Sequence, residues 1–488
     1  MKPHDMKLVA LAAPLMVLTA CTVGPDYVRP TVEAPAAFKE TAGWKPAQPR
    51  DEELKGKWWE AYNDPLLNSL EEQVNISNQN LAQAEAQYRQ AQALVQSARA
   101  SYFPTVSTSA SESRSQASSS FSSKQLQSTN PVTRGILNNY LLTLDATWEP
   151  DLWGKVRRTV ESNVASAQAS FADLEAARLS AQTDLAQDYI QLRALDSEKQ
   201  LLDDTVAAYE KSVQLTQNQY AAGVVAKTDV VQAETQLKST QAQSIDVGVQ
   251  RAQFEHAIAL LIGKPASVFS IPPAPLTASL PAVPIGVPSD LLERRPDVAA
   301  AERMVASANA QIGVAIAAYF PTLTLSASGG FQSPSWSNWL TVPSRFWAVG
   351  PQLAETLFDG GLRRAQTAQA RAAYDANVAA YRQTVLNGFK EVEDNLAALR
   401  ILEQEAQVQD QAVQDARLSV VLTTNQYKAG TVNYLNVIVV QAAALNNETT
   451  AVSILSRRLL ASVLLIKAIG GGWNSSDLPT TAYLTDPK

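Results

Sequence analysis

The chain has 488 residues, of which 18% are charged, with 40 basic and 47 acidic side chains giving a formal charge of −7. That length leaves room for two to four ordinary domains, and the mild acidity with no basic stripe argues against nucleic acid as a partner. The inventory also disfavours catalysis: beyond position 20 the only histidine is His256, the only cysteine Cys21 and the only methionine Met304. A serine or cysteine triad would have to use this one imidazole, and His–Cys zinc sites and thioether ducts for Cu(I) lack ligands. No enzyme activity, catalytic residue, metal or cofactor is expected.

Lys2 and Lys7 precede an apolar run from Leu8 to Leu18, which ends in Leu18-Thr19-Ala20-Cys21. This reads as a secretory signal over residues 1–20, because a run that short cannot span a bilayer, which takes about 20 residues. The Leu-x-Ala-Cys order resembles the bacterial lipobox. Cys21 is then expected to carry a covalent lipid, with outer-membrane lipid around it, and Thr22 in place of Asp favours the outer membrane. The alternative is a plain signal beside a chance cysteine. An arm over residues 21–65 follows, and with a single cysteine the exported chain has to be stabilised by packing.

From about Leu66 to Tyr102 the pattern is helical, and Pro104 ends it by pushing its neighbour towards extended geometry. A strand hairpin is expected at about 104–149. Its return strand places Tyr140, Leu142, Leu144, Ala146 and Trp148 on one face, and Leu141, Thr143, Asp145, Thr147 and Glu149 on the other. A helical hairpin is expected at about 155–262, with Leu202, Val206, Tyr209 and Val213 forming a coiled-coil-like seam. About sixty helical residues make a rod of about 90 Å. Ala222-Gly223 interrupts it as a helix C-cap and tight turn. The Pro-rich segment at 266–290 reads as an extended linker running along the outside.

Residues 291–473 repeat the plan of residues 66–265. "ASYFPTVSTSAS" at 100–111 matches "AAYFPTLTLSAS" at 317–328, and Phe103 and Phe320 differ by 217. "NQYAAG" at 218–223 matches "NQYKAG" at 425–430, where the offset is 207. The first copy thus carries about ten extra residues in its Ser-rich stretch, 111–139. In the second copy Pro321 ends the helix from Pro296 to Tyr319. A strand hairpin at about 321–357 and a helical hairpin at about 361–469, turning at Gly430, follow. Residues 474–488 form a C-terminal tail.

Ten-residue strands with one polar and one apolar face, in an exported chain, suit a transmembrane barrel with a wet interior. Four strands cannot close one, and hydrocarbon does not tolerate an open edge. Two chains would supply eight strands and a filled interior; three would supply twelve and an open lumen.

Five further motifs appear in order: "CTVGPDYVRP" at 21–30, "WWEAYNDPLLNSL" at 58–70, "WEPDLWGKVRR" at 148–158, "ERRPDV" at 293–298 and "AIGGGW" at 468–473. On the duplicated frame they resemble the bacterial outer-membrane efflux proteins, the exit ducts of tripartite pumps, and their lipoprotein branch in particular. The resemblance implies a mixed α and β membrane protein. In it a homotrimeric barrel of four strands per chain, twelve in total, continues into an α-helical periplasmic tunnel. It implies a passive duct for small molecules, with a periplasmic adaptor protein and a proton-driven inner-membrane pump as partners. It places the working residues at the two helical turns: Gly223 and Gly430 with Tyr434 as adaptor-contact tips, and Thr228, Asp229, Leu435, Asn436 and Val439 as the periplasmic aperture. Val439 occupies the position where the family often has an acidic residue, so the mouth is closed either by an apolar ring that includes Leu435 or by charge. Asp229 is either an aperture carboxylate or the N-cap of its helix. The alternatives are a duct for protein or peptide secretion, and a lipid-anchored coiled coil that conducts nothing and has no strands.

Overall fold

The computed structural model describes residues 22–40, 56–116, 136–281 and 291–486. The expected signal peptide and Cys21, part of the arm, most of the Ser-rich loop and residues 282–290 of the linker lie outside the described residues. The first copy comprises α1 (Pro65–Ser77), α2 (Gln79–Ala100), β1 (Thr105–Ser115), β2 (Leu137–Trp148), α3 (Lys155–Ala221) and α4 (Lys227–Leu261). A single turn at Leu291–Arg294 leads to the second: α5 (Pro296–Ala317), β3 (Thr322–Ser333), β4 (Arg345–Ala354), α6 (Leu362–Lys428) and α7 (Tyr434–Ala468).

The two long helices, α3 and α6, have 67 residues each, or about 100 Å. Each pairs along its lower part with its own 35-residue return helix, α4 or α7. Nearer the strands, α2 and α5 pack against α3, and α5 also packs against α6.

The helix expected from Leu66 to Tyr102 is broken at Asn78. That residue is extended, with φ −67° and ψ 122°. Its Oδ1 accepts from the amides of Asn80 (2.9 Å) and Leu81 (3.1 Å), while its Nδ2 donates to Leu261 O (2.8 Å). One side chain thus caps α2 and ties it to the end of α4, which is why an uninterrupted helix loses. The belt around this joint is the main core. Trp58 and Trp59 meet edge to face with centroids 5.8 Å apart, and the Tyr62 hydroxyl is 2.7 Å from Ser462 Oγ. Glu71 is fully buried in the same belt, where desolvation raises its carboxyl well above the usual range.

Residues 22–40 form a strap down the helices. Val23 N–H donates to Trp153 O (3.2 Å), Arg158 pairs with Asp26 (2.8 Å), and Arg400 pairs with Glu40 (2.6 Å). The described part of the linker has a 3-10 turn at Ala266–Val268, then runs without helix or strand to residue 281 along α3 and α4. Arg193 donates to Pro272 O (2.8 Å), Arg251 donates to Ile271 O (2.7 Å), and both arginines bind Asp196.

The four strands form one antiparallel sheet in the order β1-β2-β3-β4, so β2 and β3 join the two copies. The register aligns side chains across all four. One face carries Val106, Leu142, Leu144, Ala146, Leu325, Ala327, Val349 and Leu353, with Trp148 and Trp347 among them. The other carries Ser107, Ser109, Thr143, Asp145, Thr324, Ser326, Ser328 and Gln352. From Tyr140 to Trp148 the apolar face spans about 27 Å along the strand. At the hairpin end Tyr140 packs with Trp336 and Trp339, centroids 5.6 and 6.0 Å away, as an interfacial girdle would. Pro104 and Pro321 each stand between a helix and a strand. Trp153 Nε1 donates to Pro321 O (2.7 Å) and Trp148 Nε1 to Tyr102 O (3.0 Å), which holds both junctions. The intervals between β1 and β2 and between β3 and β4 differ in length by the ten residues the repeat offsets require. A coiled coil without strands is excluded by this sheet.

Candidate functional site

Far from the sheet, each long helix ends in a glycine in left-handed geometry: Gly223 at φ +72° and Gly430 at φ +74°. A Cβ at either position would meet nothing within 4 Å, so backbone conformation alone requires glycine there. Both turns are Schellman motifs. Gly223 N–H donates to Tyr220 O (2.9 Å) and Val224 N–H to Gln219 O (2.9 Å); Gly430 N–H donates to Tyr427 O (2.9 Å) and Thr431 N–H to Gln426 O (3.0 Å).

The return helices start differently. Asn433 caps α7, its Oδ1 accepting from Asn436 N–H (3.3 Å), whereas Ala226 precedes α4 with no side-chain cap. Asp229 is therefore not the N-cap. It is the third residue of α4, half-buried, where a carboxylate still meets the positive end of the helix.

The two turns pack together. Tyr209 and Val213 of α3, Ala233 and Leu237 of α4, Tyr427 of α6, and Tyr434 and Val437 of α7 form one apolar cluster. Tyr427 and Tyr434 have ring centroids 5.3 Å apart, and the Tyr427 hydroxyl donates to Gln219 Oε1 at 2.6 Å, joining the copies. Burial raises the Tyr427 hydroxyl above its ordinary value, and the charge of Asp229 adds to the rise. Tyr434 is not the exposed adaptor-contact tip that the resemblance implies, since it is only 3% exposed. As the first residue of α7 it turns inward, because covering an aromatic ring with the other hairpin is worth far more than leaving it wet.

Thr228, Leu435, Asn436 and Val439 are exposed. Leu435 and Val439, at 49% and 59% exposure, lie one turn apart on a single flank of α7. α7 is long and apolar enough by composition to cross a bilayer, yet it pairs with α6 along its length, and part of its apolar surface stays uncovered within one chain. Val224 at the turn and Val231 on α4 are exposed in the same region. Sequence reasoning missed Tyr427 and its Gln219 partner. The duplicated "NQY" at 218–220 and 425–427 marks both residues but does not tell which tyrosine is buried.

Comparison with known proteins gives a consistent family. The family model described as "Outer membrane efflux protein" matches residues 70–264 and 287–471. The toluene efflux pump outer membrane protein TtgC of Pseudomonas putida is 29% identical over 469 residues, covering 96% of both chains. The pyoverdine export outer membrane protein OpmQ of Pseudomonas aeruginosa is 29% identical over 474 residues, covering 96% of this chain and 98% of that one. Among solved structures, the outer-membrane channel OprN superposes with a TM-score of 0.85 at 31% identity, covering 93% of this chain and all of that one.

Proposed function

The chain belongs to the outer membrane efflux protein family, and from that premise we propose that three copies build one conduit that carries small organic molecules out of the cell. It is the outer-membrane component of an efflux pump, with its strands in the membrane and its helices in the periplasm. The observation that carries the trimer is the sheet, whose edge strands β1 and β4 have no partners among the described residues. An even number of alternating strands lets β4 of one copy pair antiparallel with β1 of the next. Twelve strands then close with no edge left in hydrocarbon, where each unpaired backbone group costs several kcal/mol.

Below the barrel the helices of the three chains continue as a tunnel. Leu435 and Val439, exposed and apolar near the turns, come together around the axis and close the mouth by dewetting. Thr228, Asp229 and Asn436 supply its polar rim. The turns at Gly223 and Gly430, with exposed Val224 between α3 and α4, receive a periplasmic adaptor. A proton-driven inner-membrane pump supplies the energy, since the duct has none of its own. Relatives equally distant from this chain carry names for toluene efflux and pyoverdine export. This supports leaving the choice of cargo to the pump.

Lipidation of Cys21 fits the strap. Val23 is bonded to Trp153, and Thr22 packs on Gly154, at the junction of sheet and helices. An acyl chain on the preceding residue would enter the membrane at that level. Crosslinking together with planar-bilayer recording on purified protein tests the whole reading. A trimer with discrete conductance is expected, and a monomer or dimer that conducts nothing would sink it. Cys21→Ser should lose fatty-acid labelling and keep the trimer.

A further inference from the structure

We infer that Asp145 makes the barrel lumen selective for cations, at a height set by its place on β2. The inference rests on the trimeric barrel proposed above, in which the polar face of the sheet turns inward. On that face the paired residues of the four strands are almost all serine, threonine, glycine, alanine, asparagine or glutamine. Asp145 is the one charged side chain among them. The charged residues Glu112, Arg114 and Arg345 belong to the opposite face, at its hairpin end. Glu149, just past β2, is 3.7 Å from Lys155 and so is offset.

Asp145 is held differently. It lies opposite Ser107 and Ser328, and Thr143 Oγ1 donates to its Oδ2 at 2.7 Å, with Ser109 Oγ 2.9 Å from Thr143 Oγ1. Hydroxyls fix the carboxylate without neutralising it. Three copies place three such carboxylates in one ring, three residues above Trp148 at the lower end of β2, or about 10 Å along the strand.

Geometry decides whether such a ring can matter. Twelve strands about 4.8 Å apart and tilted by about 40° close at a radius of about 12 Å. A side chain reaching inward brings each carboxylate to about 8 or 9 Å from the axis. The screening length is about 10 Å at 0.1 M salt and about 30 Å at 0.01 M, so an ion on the axis feels all three charges. A neutral hydroxyl wall adds nothing to compete with them. Cationic solutes are therefore favoured over anions of equal size on their way out, and neutral ones are unaffected.

The test is the reversal potential of the purified trimer in planar bilayers under a KCl gradient. The expected potassium-over-chloride preference is about fivefold or more near 0.01 M, falling towards none at 1 M, where screening acts within about 3 Å. Asp145→Asn should remove most of that preference and Asp145→Lys should turn it towards chloride, with trimer formation checked on gels for both. Glu149→Gln, whose charge is already offset by Lys155, should leave it largely in place. A wild-type channel without preference, or one whose preference survives Asp145→Asn or vanishes with Glu149→Gln, overturns the inference. A wild-type protein that forms no conducting trimer overturns the duct itself and this inference with it.

Discussion

The hairpin of α3 and α4 and the hairpin of α6 and α7 have the same helix lengths, 67 and 35 residues, and turn through glycines within a few degrees of each other. At matched positions their side chains have opposite fates. Tyr220 is 46% exposed and its counterpart Tyr427 is 6% exposed. Lys227 is exposed where Tyr434 is buried, and Thr228 and Asp229 stand where the second copy has Leu435 and Asn436. The backbone of a turn depends on a few local residues, so duplication preserves it. Burial depends on what a helix meets, and here each hairpin meets the other. Both copies supply apolar residues to that meeting, but the two tyrosines buried beside the turns, Tyr427 and Tyr434, come from the second, while Tyr220 and Lys227 of the first stay exposed.

The largest effect should come from removing the buried side of a matched pair. Tyr434→Ala empties a site walled by both hairpins and is expected to cost about 3–5 kcal/mol of local stability. Hydrogen exchange of the turn amides should accelerate accordingly. Lys227→Ala, its counterpart, should change exchange by no more than about 0.5 kcal/mol. Equal effects from the two would erase the asymmetry. The glycines should behave in the opposite way. Gly223→Ala and Gly430→Ala each force a side chain into left-handed geometry, at about 1–2 kcal/mol. The two costs should be alike, because the turns are alike and neither has neighbours for a Cβ to strike.

That contrast also explains what can be read from the residues alone. Gly223, Gly430, Pro104 and Pro321 act through their own backbone limits, so the turns and the helix-to-strand breaks are legible, as are the faces of the strands from their alternation. The ten extra residues between β1 and β2 can be located from offsets alone. Tyr434 is illegible because its burial depends on Tyr209 and Val213 of the other copy, more than two hundred residues away. Asn78 escapes notice because an asparagine within a helical pattern gives no warning that its amide will cap α2 and bind Leu261. Asp229 fits two roles on sequence, and the helix start at Lys227 removes the capping one.

A smaller step sharpens the inner and outer tyrosines. Tyr427→Phe keeps the ring in the cluster and deletes only the bond to Gln219, so about 1 kcal/mol is expected between the hairpins. The orphaned Gln219 amide can rotate towards solvent, which keeps the figure modest. Tyr220→Phe should be silent in the same exchange experiment. A matching loss at Tyr220 would mean that both tyrosines bridge to something outside one chain.

Leu435→Ser should cost the least stability, within about 0.5 kcal/mol, because its side chain is half exposed and packs little within one chain. Its readout is the closed mouth. Three serines at that level would admit water where three leucines exclude it, so the resting conductance of the bilayer channel should rise and cells should leak antibiotic inward. The comparison supplies the control, since Thr228 occupies the matched position on α4 and is already polar. Thr228→Ser should therefore leave the conductance unchanged. If Leu435→Ser is silent while Asp229→Asn widens the channel, the hairpin of α3 and α4 holds the mouth shut by charge. The division of labour between the copies would then run the other way.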